Sequence, residues 1–266
     1  MIRSASLEDE SDLRALCASV YEDDYVLDHL SAWLAQKTIY VYQENNYITG
    51  MIRLTFTRDG KAHVGSIRVH PDFRRQGIGT ALTNYCITAC RTDTVRLAIM
   101  DNNPSQALAR KMGFSQVETF TFLLRTVEKT EKIPPFHVRT RTPVEALSLL
   151  RDSTRFIQNH SLLSSSFTFY TPSLENIGNL LFFGHKDKLA VLDFEIEEAL
   201  KKAVQIAYCD SDPVLVKAIL YEAARREIEE IWAVIPKNEE VVNLLLSENF
   251  EPVKWGETIR VFEQHL

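Results

Sequence analysis

Residues 66–86 read SIRVHPDFRRQGIGTALTNYC. A run with strand character ends at Val69-His70-Pro71, and Arg74, Gly77 and Gly79 then fit Arg-x-x-Gly-x-Gly where a helical pattern begins. Glycines let backbone amides crowd around an anion, and the helix start beyond them supplies N–H groups with no intrahelical acceptor and the positive end of the helix dipole. The chemistry this could do is to hold a phosphate or pyrophosphate by backbone groups. Taken alone, the pattern is expected by chance in a chain of this length with a probability of about 0.06. Its position between a strand and a helix is what sharpens it. The binding must also be local, because 30 basic against 36 acidic side chains leave a formal charge of −6. That balance supplies no global attraction for nucleic acid or an anionic membrane, and neither is expected as a partner.

A second stretch lies downstream, DNNPSQALARKMGF over residues 101–114. The two together, in the order strand, HPDFR, RRQGIG, helix, strand, Asn102, helix, Gly113-Phe114, resemble the GCN5-related N-acetyltransferase superfamily over about residues 1–126. The resemblance implies acetyl-CoA as cosubstrate and no metal. It implies that backbone groups of Arg75, Gln76, Gly77, Ile78, Gly79 and Thr80 cradle the CoA pyrophosphate, with the Arg74 and Arg75 side chains beside it. The amide of Val69 would polarise the thioester carbonyl as an oxyanion hole. Asn102 would hydrogen-bond the pantetheine arm. The reaction implied is direct transfer of acetyl to a primary amine, with no covalent enzyme intermediate.

The sequence also departs from that pattern. Many members carry a tyrosine five residues before the final Phe of the second motif, where it protonates the leaving thiolate; here the position is Ala109. Eleven residues before the loop's first arginine, where some members place a catalytic Glu, stands His63, whose ordinary pKa of about 6.5 suits a base at neutral pH. A hairpin histidine after Gly60-Lys61 is the alternative. Arg68, a cation inside the strand SIRVHP, either reaches a substrate carboxylate or extends along the sheet to an acidic partner. The acidic run Glu22, Asp23 and Asp24 between two tyrosines either steers an amine or caps a helix junction. His70 reads as structural.

The elements that must position these groups follow from periodicity. Residues 2–6 form a strand, and helices follow within SLEDESDLRALCASVYED, residues 6–23, and over about 25–36. Three strands, TIYVYQEN, YITGMIRLTFTRDG and KAHVGSIRVH, are divided by Asn45-Asn46 and Asp59-Gly60, both hairpin chemistry. Helix 78–91, strand 94–100, helix 104–112 and strand 116–125 complete an α/β half. After the charged, Pro134-Pro135-interrupted stretch, the elements repeat at low identity, with a helix over 212–228, EIWAVI, a helix over 238–247 and TIRVFE. The expected fold is therefore α/β (α+β), two domains each with a mixed, mostly antiparallel twisted sheet flanked by helices. The expected division is 1–128, a linker at 129–136, and 137–266. In the second half Asp210 and Asp212 stand where a pyrophosphate would sit, so that half reads as a degenerate copy that covers the first domain's cleft or sheet edge.

With 266 residues, 45% apolar and 25% charged, the composition is that of an ordinary globular protein. No apolar run is long enough to span a membrane and the N-terminus MIRSASLEDESD is acidic, so a cytoplasmic location is expected. Cys17, Cys86, Cys90 and Cys209 show no metal or disulfide spacing and read as buried thiols. The function expected is an acetyl-CoA-dependent N-acetyltransferase acting on a small-molecule amine or amino acid. Two readings stay open beside it: acetylation of a protein N-terminus or lysine, and a non-catalytic acyl-CoA-binding regulatory protein. Oligomeric state is not readable from the sequence.

Overall fold

The fold is taken from a computed structural model, which describes residues 1–101, 104–128, 138–196, 199–253 and 256–266. The elements in chain order are β1 (Ile2–Ser4), α1 (Glu10–Val20), α2 (Val26–Ala35), β2 (Ile39–Glu44), β3 (Tyr47–Phe56), β4 (Ala62–Val69), α3 (Ile78–Ala89), β5 (Thr94–Met100), α4 (Ser105–Lys111) and β6 (Ser115–Thr126). Then come β7 (Arg139–Thr140), α5 (Pro143–Asp152), α6 (Thr154–Gln158), β8 (Leu163–Ser165), β9 (Thr168–Tyr170), β10 (Leu181–His185), β11 (Lys188–Asp193), β12 (Ala203–Cys209), α7 (Pro213–Arg225), β13 (Glu230–Pro236), α8 (Glu239–Ser247), β14 (Glu251–Pro252) and β15 (Thr258–His265). The chain divides into two compact units that are discontinuous in sequence. The first comprises Met1–Leu97, Ser105–Ser115 and Glu263–Leu266; the second comprises Ala98–Pro104 and Gln116–Phe262. The linker expected at 129–136 lies outside the described residues.

In the first unit β1, β2, β3 and β4 form an antiparallel meander, and β5 joins β4 in parallel. The turn chemistry read from sequence explains the hairpins. Asn45 and Asn46 both adopt positive φ, 45° and 66°, which matches the right-handed twist of β2 and β3. Gly60, at φ 76°, closes the tight turn in which the Thr57 amide donates to the Lys61 carbonyl and the Gly60 amide to the Thr57 carbonyl. Helices α1 and α2 bury Leu13, Leu16, Cys17, Leu30, Trp33 and Leu34 against Ile39, Val41 and Met51 of the sheet.

The second unit repeats this order of elements with a hairpin, β8–β9, added after its second helix. Its strands run β7, β10, β11, β12, β13, β6, with β12 and β13 parallel and the other pairs antiparallel. Caps legible in the sequence start its helices. Thr142 and Glu145 form a capping box with Pro143 in the first turn of α5, and Asn238 caps α8 through the Val241 amide. A mixed sheet with helices in each unit is the architecture expected from the sequence.

Candidate functional site

The site grows from the end of β4. Opposite β3, the register advances two residues from Met51 to Arg53 while β4 runs three, from Arg68 back to Gly65. The extra residue is accommodated by a bulge at Ser66, whose φ is 51°. The Tyr25 hydroxyl meets the Ser66 hydroxyl at 3.1 Å. Beyond the bulge, the His70 amide donates to the Thr49 carbonyl at 3.0 Å, which makes Gly50 and Val69 a pair whose own N–H and C=O groups point away from each other. The Val69 amide thus faces the β5 side. There β4 and β5 pair at Ala62↔Val95 and His63↔Arg96 and then part, so among the described residues no strand pairs with β4 from Val64 onward on that side. The result is a fork with a backbone N–H at its open end.

The glycine loop lies next to that fork. His70 accepts the Asp72 amide on Nδ1 and packs edge-on to Phe73, holding the turn at Pro71–Phe73, the structural role expected of it. Arg75 follows at φ 63°, and Gly77, at φ 84° and ψ 0°, is the N-cap of α3. The first bond of α3 runs from the Ala81 amide to the Gly77 carbonyl, which leaves the amides of Ile78, Gly79 and Thr80 without intrahelical acceptors. No acidic residue lies in that first turn. Gly79 sits against β4 and α4: a Cβ there would stand 3.4 Å from Ile67 Cδ1 and from Leu108 Cδ2, so only a small residue lets the helix start approach the strand end. The Arg74 guanidinium donates from Nε to the Val69 carbonyl at 3.3 Å, and Arg75 and Gln76 are exposed beside the loop.

The other groups singled out by sequence lie on the opposite, α1–α2 face of β4. Arg68 takes the second of its two expected courses and pairs with Asp24 through two 2.6 Å bonds, both side chains buried. Its guanidinium lies under the rings of Tyr21 and Tyr25, 4.9 and 5.5 Å from their centroids. Burial is the largest single influence and works against that cation, but the hydrogen bonds to Asp24 together with the charge interactions of Tyr25, Asp24 and Cys17 outweigh it, and the Arg68 pKa is raised. Asp24 also accepts the Val26 amide and so fixes the start of α2. The acceptor contact expected of Arg68 and Asp24 therefore meets charges already committed to each other. Glu22 and Asp23 remain exposed in the same turn.

His63 is on β4 itself, in the last β4–β5 pair, opposite Arg96. Its Nε2 is buried and has no hydrogen-bond partner among the described residues. Burial, then the Arg53 and Arg96 cations, push its pKa down to about 4, so the ordinary imidazole basicity assumed from sequence is not what its surroundings provide. Ala109 is buried on α4 and brings no proton donor. Asn102 lies outside the described residues. Sequence reasoning missed the Ser66–Tyr25 contact and the Arg96 ion pairs, which carry no local signature.

The second unit shows what closes such a site. The Asp212 carboxylate accepts the Val214 amide at 2.9 Å and takes His185 Nδ1 at 2.7 Å, so the start of α7 already holds an anion of its own. The added hairpin lies on β12 and β13: Ser164 donates to the Val234 carbonyl at 2.6 Å and accepts from Gln205 at 2.7 Å, all three buried.

Comparison with known proteins agrees with this arrangement. The model of the acetyltransferase (GNAT) family matches residues 7–114. Residues 7–114 are thus similar to the domains of that family. A mycothiol acetyltransferase of Mycolicibacterium vanbaalenii is 29% identical over 92 residues, 35% of this chain and 31% of that protein. The human cysteine-rich protein 2-binding protein is 32% identical over 84 residues, 30% of this chain and 11% of its own length. The chain thus spans a third or less of these curated relatives. Over its whole length it shares a fold with a GCN5-related N-acetyltransferase from Sphaerobacter thermophilus, with a TM-score of 0.63 and 14% identity, covering 100% of this chain and 95% of the other. The GNAT-like architecture therefore extends beyond the matched residues into the second unit. Among the described residues no helix is long and apolar enough to cross a membrane, no cluster of three or more His, Cys, Asp or Glu could hold a metal ion, and the four cysteines are free and buried.

Proposed function

We propose that the first unit transfers the acetyl group of acetyl-CoA to the primary amine of a small molecule or amino acid. The observation that carries this reading is the Val69 amide turned into the β4–β5 fork next to the carboxylate-free start of α3. In this reading the backbone from Arg75 to Thr80 holds the pyrophosphate, with Arg74 and Arg75 at its edge, and Asn102 serves the pantetheine arm. The amine lone pair attacks the thioester carbon, the oxyanion accepts from the Val69 N–H, the nitrogen gives up its extra proton to water, and collapse breaks the C–S bond and releases the CoA thiolate. With Ala109 in the acid position, that thiolate leaves as the anion or takes a proton from water, which a thiol pKa of about 8.5 permits near neutral pH.

The base that takes the ammonium proton before attack is the open role. His63 stands where the family pattern puts it, and a conjugate acid titrating near 4 would place its limb of the pH–rate profile far below neutrality. Glu22 and Asp23, exposed at the α1–α2 turn, are next in line. The buried Ala109 favours a second reading, a non-catalytic acyl-CoA sensor. Acetylation of a protein amine is the third. The test is calorimetric titration of acetyl-CoA followed by a screen of amines, amino acids and peptides for thiol release. Binding with turnover supports the enzyme, binding without turnover the sensor, and absence of binding overturns both.

A further inference from the structure

The point at which β4 and β5 part is held by an ion cluster that no acetyl-CoA motif includes. Arg96, opposite His63 in the last paired position, is only 5% exposed. Its Nη1 meets Asp59 Oδ2 at 2.7 Å, and its Nε meets Glu263 Oε2 at 2.7 Å. Asp59 comes from the β3–β4 turn, where it also takes the Thr57 hydroxyl. Glu263 comes from the last four residues of the chain, which belong to the first unit. Those residues make two more contacts at the start of β5: His265 Nδ1 lies 3.3 Å from the Thr94 hydroxyl, and the Leu266 amide donates at 2.9 Å to the carbonyl of Asp93, the residue before the strand. Glu263 Oε1 is 3.1 Å from the exposed His265 ring. One buried guanidinium is thereby gripped from the hairpin that starts β4 and from the chain's end.

We propose that Glu263 is a positioning residue of the acetyl-CoA site: with Asp59 it clamps Arg96, fixes the apex of the β4–β5 fork, and so sets the direction of the Val69 amide. The proposal rests on the acetyl-transfer reading for its ligand, but the clamp itself has a readout without one. An apex held by two carboxylates keeps the two strands diverging at one angle. Without the Glu263 carboxylate, the guanidinium keeps its bond to Asp59 of the hairpin and loses its ion pair with the chain's end, and the amide at the open end of the fork moves with β4.

The experiment uses the full chain with Glu263→Gln and Glu263→Asp. Amide hydrogen exchange on the ligand-free proteins should rise in Glu263→Gln at residues 62–69 and 94–97 and stay near wild type in Glu263→Asp. The second measurement is the ratio of the Kd for CoA to the Kd for acetyl-CoA, which isolates the interaction with the acetyl carbonyl. Glu263→Gln should bring that ratio towards one, at least a threefold change, while CoA itself binds within threefold of wild type; general loosening would weaken both ligands equally. Unchanged exchange at β4 and β5 overturns the clamp whatever the ligand result. Raised exchange with an unchanged ratio overturns the positioning role. If wild type binds neither ligand, the acetyl-transfer reading fails, and with it the positioning role, while the exchange data still decide whether the clamp exists.

Discussion

At the scale of residues, two buried titratable side chains illustrate how environment overrides type. His63 folds with its pKa near 4 against about 6.5 in the unfolded chain, so the unfolded state binds the extra proton between those values. This group's contribution is fully present above about pH 6.5 and is lost as pH falls towards 4, a change of about 3 kcal/mol. Denaturant unfolding of wild type and His63→Gln at pH 7, 5.5 and 4 should show the wild type losing that much more than the variant; parallel pH slopes would show that His63 does not titrate as its surroundings dictate. Asp24 is the second case. Replacing it with Asn leaves the Arg68 guanidinium buried without its carboxylate, and loss of one partner of a buried pair costs about 3–5 kcal/mol. A urea-midpoint loss equivalent to under about 1 kcal/mol would contradict the pairing. The cysteines make a quieter point. Burial pushes the Cys17 and Cys86 thiols up to about 12, so both are packing groups and poor nucleophiles.

At the scale of elements, the starts of α3 and α7 occupy equivalent places in the order of their units and have opposite electrostatics. Helix α3 begins at a glycine in the left-handed region with bare amides, whereas α7 begins at Asp212, which takes the Val214 amide itself. Titration should therefore give one acetyl-CoA per chain, and two would refute the contrast. Gly77 has open space around the position of a Cβ, so steric room alone would tolerate a side chain. Its φ of 84° would not, because a β-branched residue there is strained by about 1–2 kcal/mol. Gly77→Val should melt slightly earlier than wild type and bind acetyl-CoA at least tenfold more weakly. An unchanged Kd would remove the loop from the binding site.

At the scale of the whole molecule, the first compact unit is assembled from three segments of the chain, the last of them Glu263–Leu266. A fragment ending at residue 128 contains the glycine loop and lacks Glu263, which takes one carboxylate from the buried Arg96. That fragment should melt at least several degrees below the first unit in the intact chain, followed by circular dichroism, and removal of residues 263–266 from the full chain should lower the midpoint in the same direction. A fragment as stable as the intact unit would show that the terminal residues are dispensable.

The sequence by itself determined the elements of the first half and the last two helices with EIWAVI and TIRVFE, because their signals are local: Asn45-Asn46 and Asp59-Gly60 dictate hairpins, Pro213 suits the first turn of a helix, and apolar spacing marks the buried faces; the separate elements between Arg139 and Cys209 came from the structure. It also determined the loop from Arg74 to Thr80, since a run of backbone amides needs only glycines and a helix start close together in the chain. Tertiary structure alone decided the rest of the site. Whether Arg68 meets a substrate or Asp24 depends on 44 residues of intervening chain returning to one face of β4. The basicity of His63 depends first on its burial and then on Arg53 and Arg96, which reach it from two other strands. The carboxylate on Arg96 arrives from 167 residues away. Charge interaction and desolvation act through space, and the sequence records only distance along the chain.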